Sequence, residues 1–279
     1  MSYDKLILAV GSKPNKFGWP GQDLPGVQGL YSYQDLETLE KNSVGAKRAV
    51  IVGGGLIGIE LAEMMLSRGI EVTFLVRDTL FWSNVLPEKE AALITRHIKS
   101  HLVDLRLGEE LEEVIAGVDG KTSKVKLKNS GEVIDCQIVG LTAGVTPNID
   151  FLKGTDLDVD KGILVNRYLE TNIPDVYAIG DCAQFIAPPE GRRPFEQVWY
   201  TGKIMGQTVA NNITGEKSMY TPGHWFDSAK FFDIEYQTYG WVFSHLRDGE
   251  DEFYWEEAKG MICMHFVFNK ETRRFLGVN

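Results

Sequence analysis

The chain has few cysteines, and their spacing builds no familiar redox or metal site. Among 279 residues there are three, Cys136, Cys182 and Cys263, too few and too scattered for a disulfide framework. The sequence contains no C-x-x-C, so neither a local zinc site nor a local redox dithiol can form. We therefore expect structural cysteines, no bound metal and a cytoplasmic location, the usual compartment for proteins without disulfides.

Long apolar runs and positive charge are also scarce. No run approaches the roughly 20 apolar residues that span a bilayer, and the N-terminus lacks the basic and apolar regions of a signal peptide. The formal net charge is -10, which argues against nucleic acid because its phosphates would be repelled. Motifs for acyl or ATP hydrolysis are absent. The sequence predicts neither a membrane span nor a nucleic-acid partner.

One glycine-rich stretch stands out. The apolar run at 49–52 predicts a buried strand, and a helical apolar pattern follows directly after Gly53-Gly54-Gly55. Gly53, Gly55 and Gly58 fit G-x-G-x-x-G in the strand–turn–helix context that binds a dinucleotide. The first permits a tight turn, the second lets a pyrophosphate approach the backbone, and the third lets helix and strand pack closely.

The start of the following helix completes this predicted site. Its first amides, around Leu56 and Ile57, and the positive end of its dipole are suited to hold a diphosphate. Glycine-rich turns also occur as plain connections between strands and helices. The second apolar run at 71–76, placed where a crossover helix requires a strand, favours the binding interpretation.

The end of the second predicted strand bears on the choice of nucleotide. An acidic residue about 20 positions past the glycines favours NAD, but this chain has Val76 there, followed by Arg77. Arg77 could pair with the 2′-phosphate of NADP, which we favour. In the alternative, Arg77 is a solvated charge and Asp78 or Glu71 contacts the ribose of NAD.

Proline, glycine and apolar patterns outline the remaining organisation. Residues 13–29 form a Pro/Gly-rich connector, and helices are predicted over 36–41, 87–101 and 194–212. An apolar face of the second helix includes Leu102. His97 and His101 lie four apart on that helix, but zinc needs at least one more ligand, so solvent-facing histidines are the better interpretation.

Several separated segments resemble the pyridine nucleotide-disulfide oxidoreductase superfamily of FAD-dependent NAD(P)H reductases. They follow the family's order and cover most of residues 1–215: YDKLILAVGS at 3–12, PGQDLPGV at 20–27, GGGLIGIE at 53–60, AGVTPN at 143–148 and VYAIGD at 176–181. The segments at 224–228 and 234–240 resemble the third domain of the ferredoxin, rubredoxin and nitrite reductase branch.

The resemblance implies an α/β fold with three parts. These are a Rossmann-like three-layer nucleotide-binding domain, part of a second, FAD-binding Rossmann-like domain, and a partial C-terminal α+β domain. The corresponding ranges are 1–28 and 146–221 for the FAD-binding segments, 29–145 for the NAD(P)-binding domain and 222–279 for the C-terminal domain. The family has an upstream FAD unit with its own glycine motif, so we expect a fragment truncated at both ends, with half of the flavin site.

The resemblance also assigns flavin-site residues. Asp181 is expected to hydrogen-bond the ribityl chain of FAD, and Gly11, Ser12 and Gly180 are expected beside the same cofactor. Glu196 and Gln197 would lie at the start of the third predicted helix, under the pyrimidine end of the isoalloxazine.

Two further residues are assigned on the NAD(P) side. Gly144 belongs to the return crossover and joins the glycine motif and Arg77 in that site. Glu60 is the one catalytic candidate, placed near the nicotinamide. In the alternative it is a first-turn acid favoured by the helix dipole.

The implied function is hydride transfer from NAD(P)H to FAD, followed by electron transfer to a redox protein, a small molecule or a disulfide. Two alternatives remain open: a catalytically incompetent NAD(P)-binding fragment or interaction module, and a disulfide reductase whose cysteines lie outside this chain. A homodimer is the candidate assembly, since the third domain of the family often forms dimer contacts.

Overall fold

A computed structural model describes residues 2–279, so Met1, which begins the predicted 1–28 segment, lies outside the description. The chain divides into two compact units. The first comprises the residues up to Lys13 together with Val145–Asp227, and the second comprises Pro14–Gly144 together with Ser228–Asn279. Each unit therefore combines two separate stretches of chain.

The described residues contain helices, short 3₁₀ turns and many short strands. The strands are β1 Leu6–Leu8, β2 Ser12–Pro14, β3 Val27–Gln28, β4 Arg48–Val52, β5 Glu71–Val76, β6 Asp104–Leu107, β7 Leu111–Ala116, β8 Thr122–Leu127, β9 Val133–Asp135, β10 Ile138–Leu141, β11 Val145–Pro147, β12 Ile163–Val165, β13 Val176–Ala178, β14 Ala183–Phe185, β15 Phe226–Phe231, β16 Ile234–Gly240, β17 Glu250–Glu256, β18 Cys263–Asn269 and β19 Phe275–Val278. The α-helices are α1 Tyr33–Ser43, α2 Leu56–Leu66, α3 Glu88–Ser100 and α4 Trp199–Ile213, with 3₁₀ turns at Asp150–Leu152 and Gly180–Cys182.

The second unit is built around a five-stranded parallel sheet in the order β3-β10-β4-β5-β6. Its central strand β4 reads RAVIV, and the four apolar residues are buried. An unbroken apolar run is typical of a parallel strand that is covered on both faces. The predicted strands over 49–52 and 71–76 are thus confirmed.

Successive residues of β4 point into two different cores. Ala49 and Ile51 belong to a cluster with residues of α1, α2 and α3, whereas Val50 and Val52 belong to a cluster with the antiparallel sheet β7-β8-β9. The predicted three-layer α/β class is confirmed, with helices on one face of the parallel sheet and a small antiparallel sheet on the other.

Residues 222–279, which belong to the second unit from Ser228 onward, contain strands and no helix within the described range. Strands β15 to β19 form an antiparallel sheet in the order β15-β16-β19-β18-β17. Phe231 and Phe232, at the turn between β15 and β16, are buried in the helix-side core of the parallel sheet. This turn therefore lies against the helical layer.

The first unit has short parallel strand pairs, β1 with β13 and β12 with β14, and the long helix α4. Helix α4 passes close to the 3₁₀ turn at Gly180–Cys182: a Cβ added at Gly202 would lie 3.7 Å from Gly180 Cα. Gly202 therefore lies in van der Waals contact range of this turn.

Three local predictions were wrong. Helix α4 begins at Trp199 rather than at Pro194, because the Pro194 carbonyl accepts a hydrogen bond from Phe185 N–H (3.0 Å), which holds the segment extended beside β14. Helix α1 is longer than 36–41 because Ser32 and Asp35 cap its start. Leu102 follows α3 with φ 61° and is exposed, so it does not belong to the apolar face.

Among residues 2–279, none of the helices combines the length and the apolar character needed to cross a membrane.

Candidate dinucleotide site

Two glycines, one in the β4–α2 turn and one in the first turn of α2, occupy positions with no room for a side chain. Gly53 has φ 121°, and a Cβ there would lie 2.6 Å from the carbonyl oxygen of Thr142. A Cβ at Gly58 would lie 2.6 Å from Phe74 Cζ and 2.9 Å from Gly53 O. The first glycine therefore allows a tight turn, and the last allows α2 to pack closely on the sheet.

Gly55 differs from these two glycines. Its backbone is extended (φ -125°, ψ -178°), and a Cβ built there has no described heavy atom within 4 Å. Glycine at this position is not demanded by the fold of the second unit. The absence of a side chain instead leaves open space directly before the first residue of α2, which is what a ligand approaching the backbone needs.

The N-terminus of α2 carries amide groups with no side-chain cap. The helix begins at Leu56, and its first internal hydrogen bond is donated by Gly58 N–H to Gly55 O at 3.1 Å. The amides of Leu56 and Ile57 come before this bond, and the first turn holds no acidic side chain. Unpaired amides and the positive dipole end make this terminus suited to an anion.

The end of β10 lies next to the glycine turn. Thr142 donates from Oγ1 to Val52 O at 3.0 Å, which ties the carboxyl ends of β10 and β4 together. Gly144 follows with φ 84°, and Asn15 N–H donates to its carbonyl at 3.1 Å. The predicted site residue Gly144 therefore lies at the same carboxyl edge as the glycine motif, where open α/β sheets bind ligands.

The candidates for ribose recognition lie at opposite ends of β5. Val76 is buried, whereas the Arg77 side chain is 77% exposed, with its Nε 3.9 Å from Asp78 Oδ1. Glu71 lies at the opposite end of β5, where it pairs with Arg48 at 2.5 Å. The alternative that Glu71 contacts the ribose is therefore wrong, while Arg77 and Asp78 remain at the correct edge.

Glu60 is the fifth residue of α2, beyond its first turn, so the alternative of a first-turn acid is wrong. Glu60 is exposed to solvent, yet the pKa of its carboxyl group is raised above the ordinary value of 4.5. Loss of hydration to the surrounding protein is the largest cause of this rise, and the charge of Glu63 is the second.

The flavin-site candidates of the first unit gather at one strand edge. Strands β1 and β13 are parallel neighbours, and Gly11 and Gly180 follow their carboxyl ends with φ 63° and 70°. Gln197 donates from Nε2 to the buried Ser12 Oγ at 2.8 Å. Asp181 follows Gly180 directly. The structure thus brings Gly11, Ser12 and Gln197 into one region beside the Gly180-Asp181 turn.

Glu196 has a different environment from the one predicted. Its side chain is 2% exposed and accepts two hydrogen bonds from Arg192, at 2.5 and 2.6 Å. It precedes α4 instead of opening it, because Val198 is the extended N-cap of that helix. The charge of a buried carboxylate that pairs at two points with arginine is already neutralised. The ion pair therefore explains why Glu196 is buried. The placement of Glu196 and Gln197 within the first helical turn was wrong.

The three cysteines are free, and their surroundings do not favour thiolates. Cys182 is buried with Sγ 3.3 Å from Ile179 O, and burial raises its pKa. Burial also raises the pKa of Cys136 to about 12 and that of Cys263 to about 11. Reactive thiols have lowered pKa values, so these cysteines are poor nucleophiles.

The interpretation of both histidines of α3 as solvent-facing was wrong. The His97 side chain is only 5% exposed, and its Nε2 lies 2.6 Å from Oδ1 of Asp233. The Nε2 of His101 lies 3.2 Å from the same oxygen. Asp233 lies in the turn after β15, far away in sequence. The spacing of four along a helix indicated that the two histidines share one face. No local pattern indicates which distant residue contacts that face.

The fold and the glycine turn are those of the α/β class of dinucleotide-binding folds. A family profile described as pyridine nucleotide-disulphide oxidoreductase matches residues 1–211. The chain belongs to this family, whose members are NAD(P)H oxidoreductases that use FAD, and the resemblance inferred from sequence is confirmed.

Several characterised relatives and solved structures are similar to the chain. Rhodocoxin reductase of Rhodococcus erythropolis is 30% identical over 83% of this chain and 54% of its own length. Rubredoxin-NAD(+) reductase of Acinetobacter baylyi is 34% identical over 65% of this chain and 47% of its own length. A crystal structure of an FAD-dependent pyridine nucleotide-disulphide oxidoreductase from Desulfovibrio vulgaris has a TM-score of 0.80 at 26% identity, covering all of this chain and 70% of that one. The chain thus spans about half the length of the rhodocoxin and rubredoxin reductases.

Proposed function

We propose that this chain supplies the pyridine-nucleotide-binding part of an FAD-dependent NAD(P)H oxidoreductase. The observation that carries the proposal is the N-terminus of α2, where extended Gly55 leaves open space before amides that no side chain caps. This arrangement suits the diphosphate of NAD(P). The family match supports the same class.

The residues of the second unit divide the binding task. The turn Gly53–Gly55, with the amides of Leu56 and Ile57, would hold the diphosphate. Arg77 would pair with the 2′-phosphate of NADP, because its charged group is exposed beside one weak partner. Gly144 would lie beside the bound nucleotide, and Glu60 near the nicotinamide.

The flavin candidates fit one end of FAD better than the other. Gly11, Ser12, Asp181 and Gln197 offer backbone and polar groups suited to the ribityl and isoalloxazine part. The sequence contains a single G-x-G-x-x-G, in the second unit, so the described residues supply no equivalent turn for the FAD diphosphate. Bound FAD would supply the hydride acceptor for the nicotinamide, and the chain would orient the two rings.

We further propose a redox protein as the electron acceptor. Two similar proteins are named as reductases of rhodocoxin and of rubredoxin, although another is named an NAD(P)H sulfur oxidoreductase. The buried cysteines with raised pKa values argue against thiol chemistry by this chain itself. The domain ranges, the flavin residues and a homodimer belong to the same proposal.

A nucleotide-binding module without turnover is the second candidate function, favoured by the single diphosphate motif. Calorimetric titration of the chain with NADH and NADPH tests binding, which both functions require. Anaerobic addition of NAD(P)H to the chain with FAD then separates them: bleaching of the flavin absorbance faster than in free FAD supports the oxidoreductase. Binding without faster bleaching supports the module, and absence of nucleotide binding contradicts both.

A further inference from the structure

A cluster of two histidines and one aspartate lies in the second unit, away from the glycine turn. His97 and His101 occupy the last turn and the C-cap of α3, and Asp233 lies in the turn between β15 and β16. One ligand atom from each residue lies within 4.8 Å of the others. Both Nε2 atoms face the same carboxylate oxygen, Asp233 Oδ1, at 2.6 and 3.2 Å.

We propose that His97, His101 and Asp233 form a binding site for a divalent transition-metal ion of the zinc class, with one coordination position left to solvent. Two imidazoles and one carboxylate are a ligand set that zinc accepts, and three protein ligands leave a fourth tetrahedral position open. The ion would join the end of α3 to the β15–β16 turn.

A hydrogen bond to the backbone orients the His101 ring and leaves its Nε2 directed at the proposed ion. His101 Nδ1 lies 2.9 Å from the backbone carbonyl of His97, so it must carry the proton and donate it. The Nε2 atom of His97 likewise faces Asp233 Oδ1. Metal-bound histidines use the same device, in which an outer partner fixes the tautomer and orients the ring.

The buried ring of His97 is poorly satisfied without an ion. Its Nε2 has no hydrogen bond of acceptable geometry among the described residues, although Asp233 Oδ1 lies 2.6 Å away. A neutral imidazole that offers the lone pair of Nε2 is the form that binds metal.

The surrounding structure holds the ligands in place and leaves an entry path. The His101 ring stacks on Phe232 at 4.3 Å with an interplanar angle of 11°, and Phe232 N–H donates to Glu63 Oε1 at 2.8 Å. Asp233 is 64% exposed on its side chain, so an ion can reach the cluster from solvent. The negative dipole end of α3 also favours a cation here.

The test uses the whole chain, free of any polyhistidine tag and treated with a chelator. Zn²⁺ is titrated calorimetrically, and Co²⁺ is added in parallel because tetrahedral Co²⁺ absorbs visible light. We expect binding of one ion per chain, an intense Co²⁺ spectrum and a melting temperature that rises with Zn²⁺ concentration.

Two variants and one control make the test specific. Asp233→Asn keeps the shape of an exposed side chain and removes the charge, and His101→Phe keeps an aromatic ring against Phe232 and removes a ligand. Each should weaken Zn²⁺ binding by more than about 10-fold, which even loss of an outer partner can cost. His224→Ala, in the first unit, should leave binding unchanged. Absence of stoichiometric binding, or equal binding by all four proteins, would overturn the site.

Discussion

Two helices of the same unit begin in opposite ways. At the start of α1, Ser32 and Asp35 form a reciprocal capping box in which side chains satisfy the free backbone N–H groups. At the start of α2, the corresponding position is Gly55, and no side chain does this. The helix with the side-chain cap needs no ligand. The helix without one keeps its amides available, so a missing cap at a strand–helix turn can mark function.

The largest expected effect comes from giving α2 the kind of cap that α1 has. Gly55→Asp places a good N-cap residue where the extended backbone and open space accept it. Its carboxylate would compete with the diphosphate for the same amides. We expect binding of both NADH and NADPH to weaken by about 2–3 kcal/mol, roughly 30- to 150-fold, with folding stability unchanged or slightly improved.

Calorimetry and chemical denaturation on the same samples measure both effects of Gly55→Asp. Gln34→Asp is the matched control, because it adds the same charge to the first turn of α1. It should leave nucleotide affinity unchanged. Nucleotide affinity retained by Gly55→Asp would show that the α2 terminus does not bind the diphosphate.

The next effect separates the two nucleotides. Arg77→Ala removes a charge-assisted contact to the 2′-phosphate and should weaken NADPH binding by about 1–3 kcal/mol while leaving NADH binding intact. Because the side chain is largely exposed, folding stability should change little. Calorimetric titrations with NADH and NADPH measure both affinities. Lys259→Ala, which removes a positive charge elsewhere, is the control and should change neither affinity. Equal loss for NADH and NADPH would rule out phosphate recognition by Arg77.

A smaller effect is expected when the cap of α1 is removed. Ser32→Ala eliminates the side-chain acceptor for Asp35 N–H and should lower the free energy of unfolding by about 1 kcal/mol. Urea denaturation measures this loss, and Ser32→Thr should recover most of it. Nucleotide affinity should not change. A fall in affinity as large as that of Gly55→Asp would mean that the two termini do not have separate roles.

The smallest effect concerns the acid farther along α2. The pKa of Glu60 is raised above its ordinary 4.5, so the folded chain binds this proton more tightly than the unfolded chain. Across the interval from 4.5 up to the folded pKa, the free energy of unfolding should fall as pH rises. Glu60→Gln should remove this contribution. Denaturation of both proteins at pH 4 and pH 7 checks it: a stability difference independent of pH would contradict the raised pKa.

Local signals predicted the β4–α2–β5 segment well. The apolar run of β5 was assigned its exact limits, and the glycine pattern located the β4–α2 turn, because both depend on neighbouring residues. The position of the antiparallel layer β7-β8-β9 was not predicted, because a strand pattern in the sequence does not reveal which face of a sheet the strands cover.

The errors of the sequence analysis arise from contacts between distant residues. The start of α4 was misplaced because Pro194 pairs with β14 and Glu196 pairs with Arg192. His97 faces Asp233, which lies 136 positions later in the sequence. Helical periodicity places His97 and His101 on one face, but only the fold identifies what lies against that face.

The central claim is that the backbone amides at the start of α2 bind the nucleotide diphosphate. Amide NMR spectra of the ¹⁵N-labelled chain, recorded while NADPH is added, test it residue by residue. We expect saturable shifts at Gly54, Gly55, Leu56 and Ile57, with the amides of the capped α1 terminus unmoved. Saturable binding without shifts at residues 54–57, or with the principal shifts elsewhere, would contradict the account.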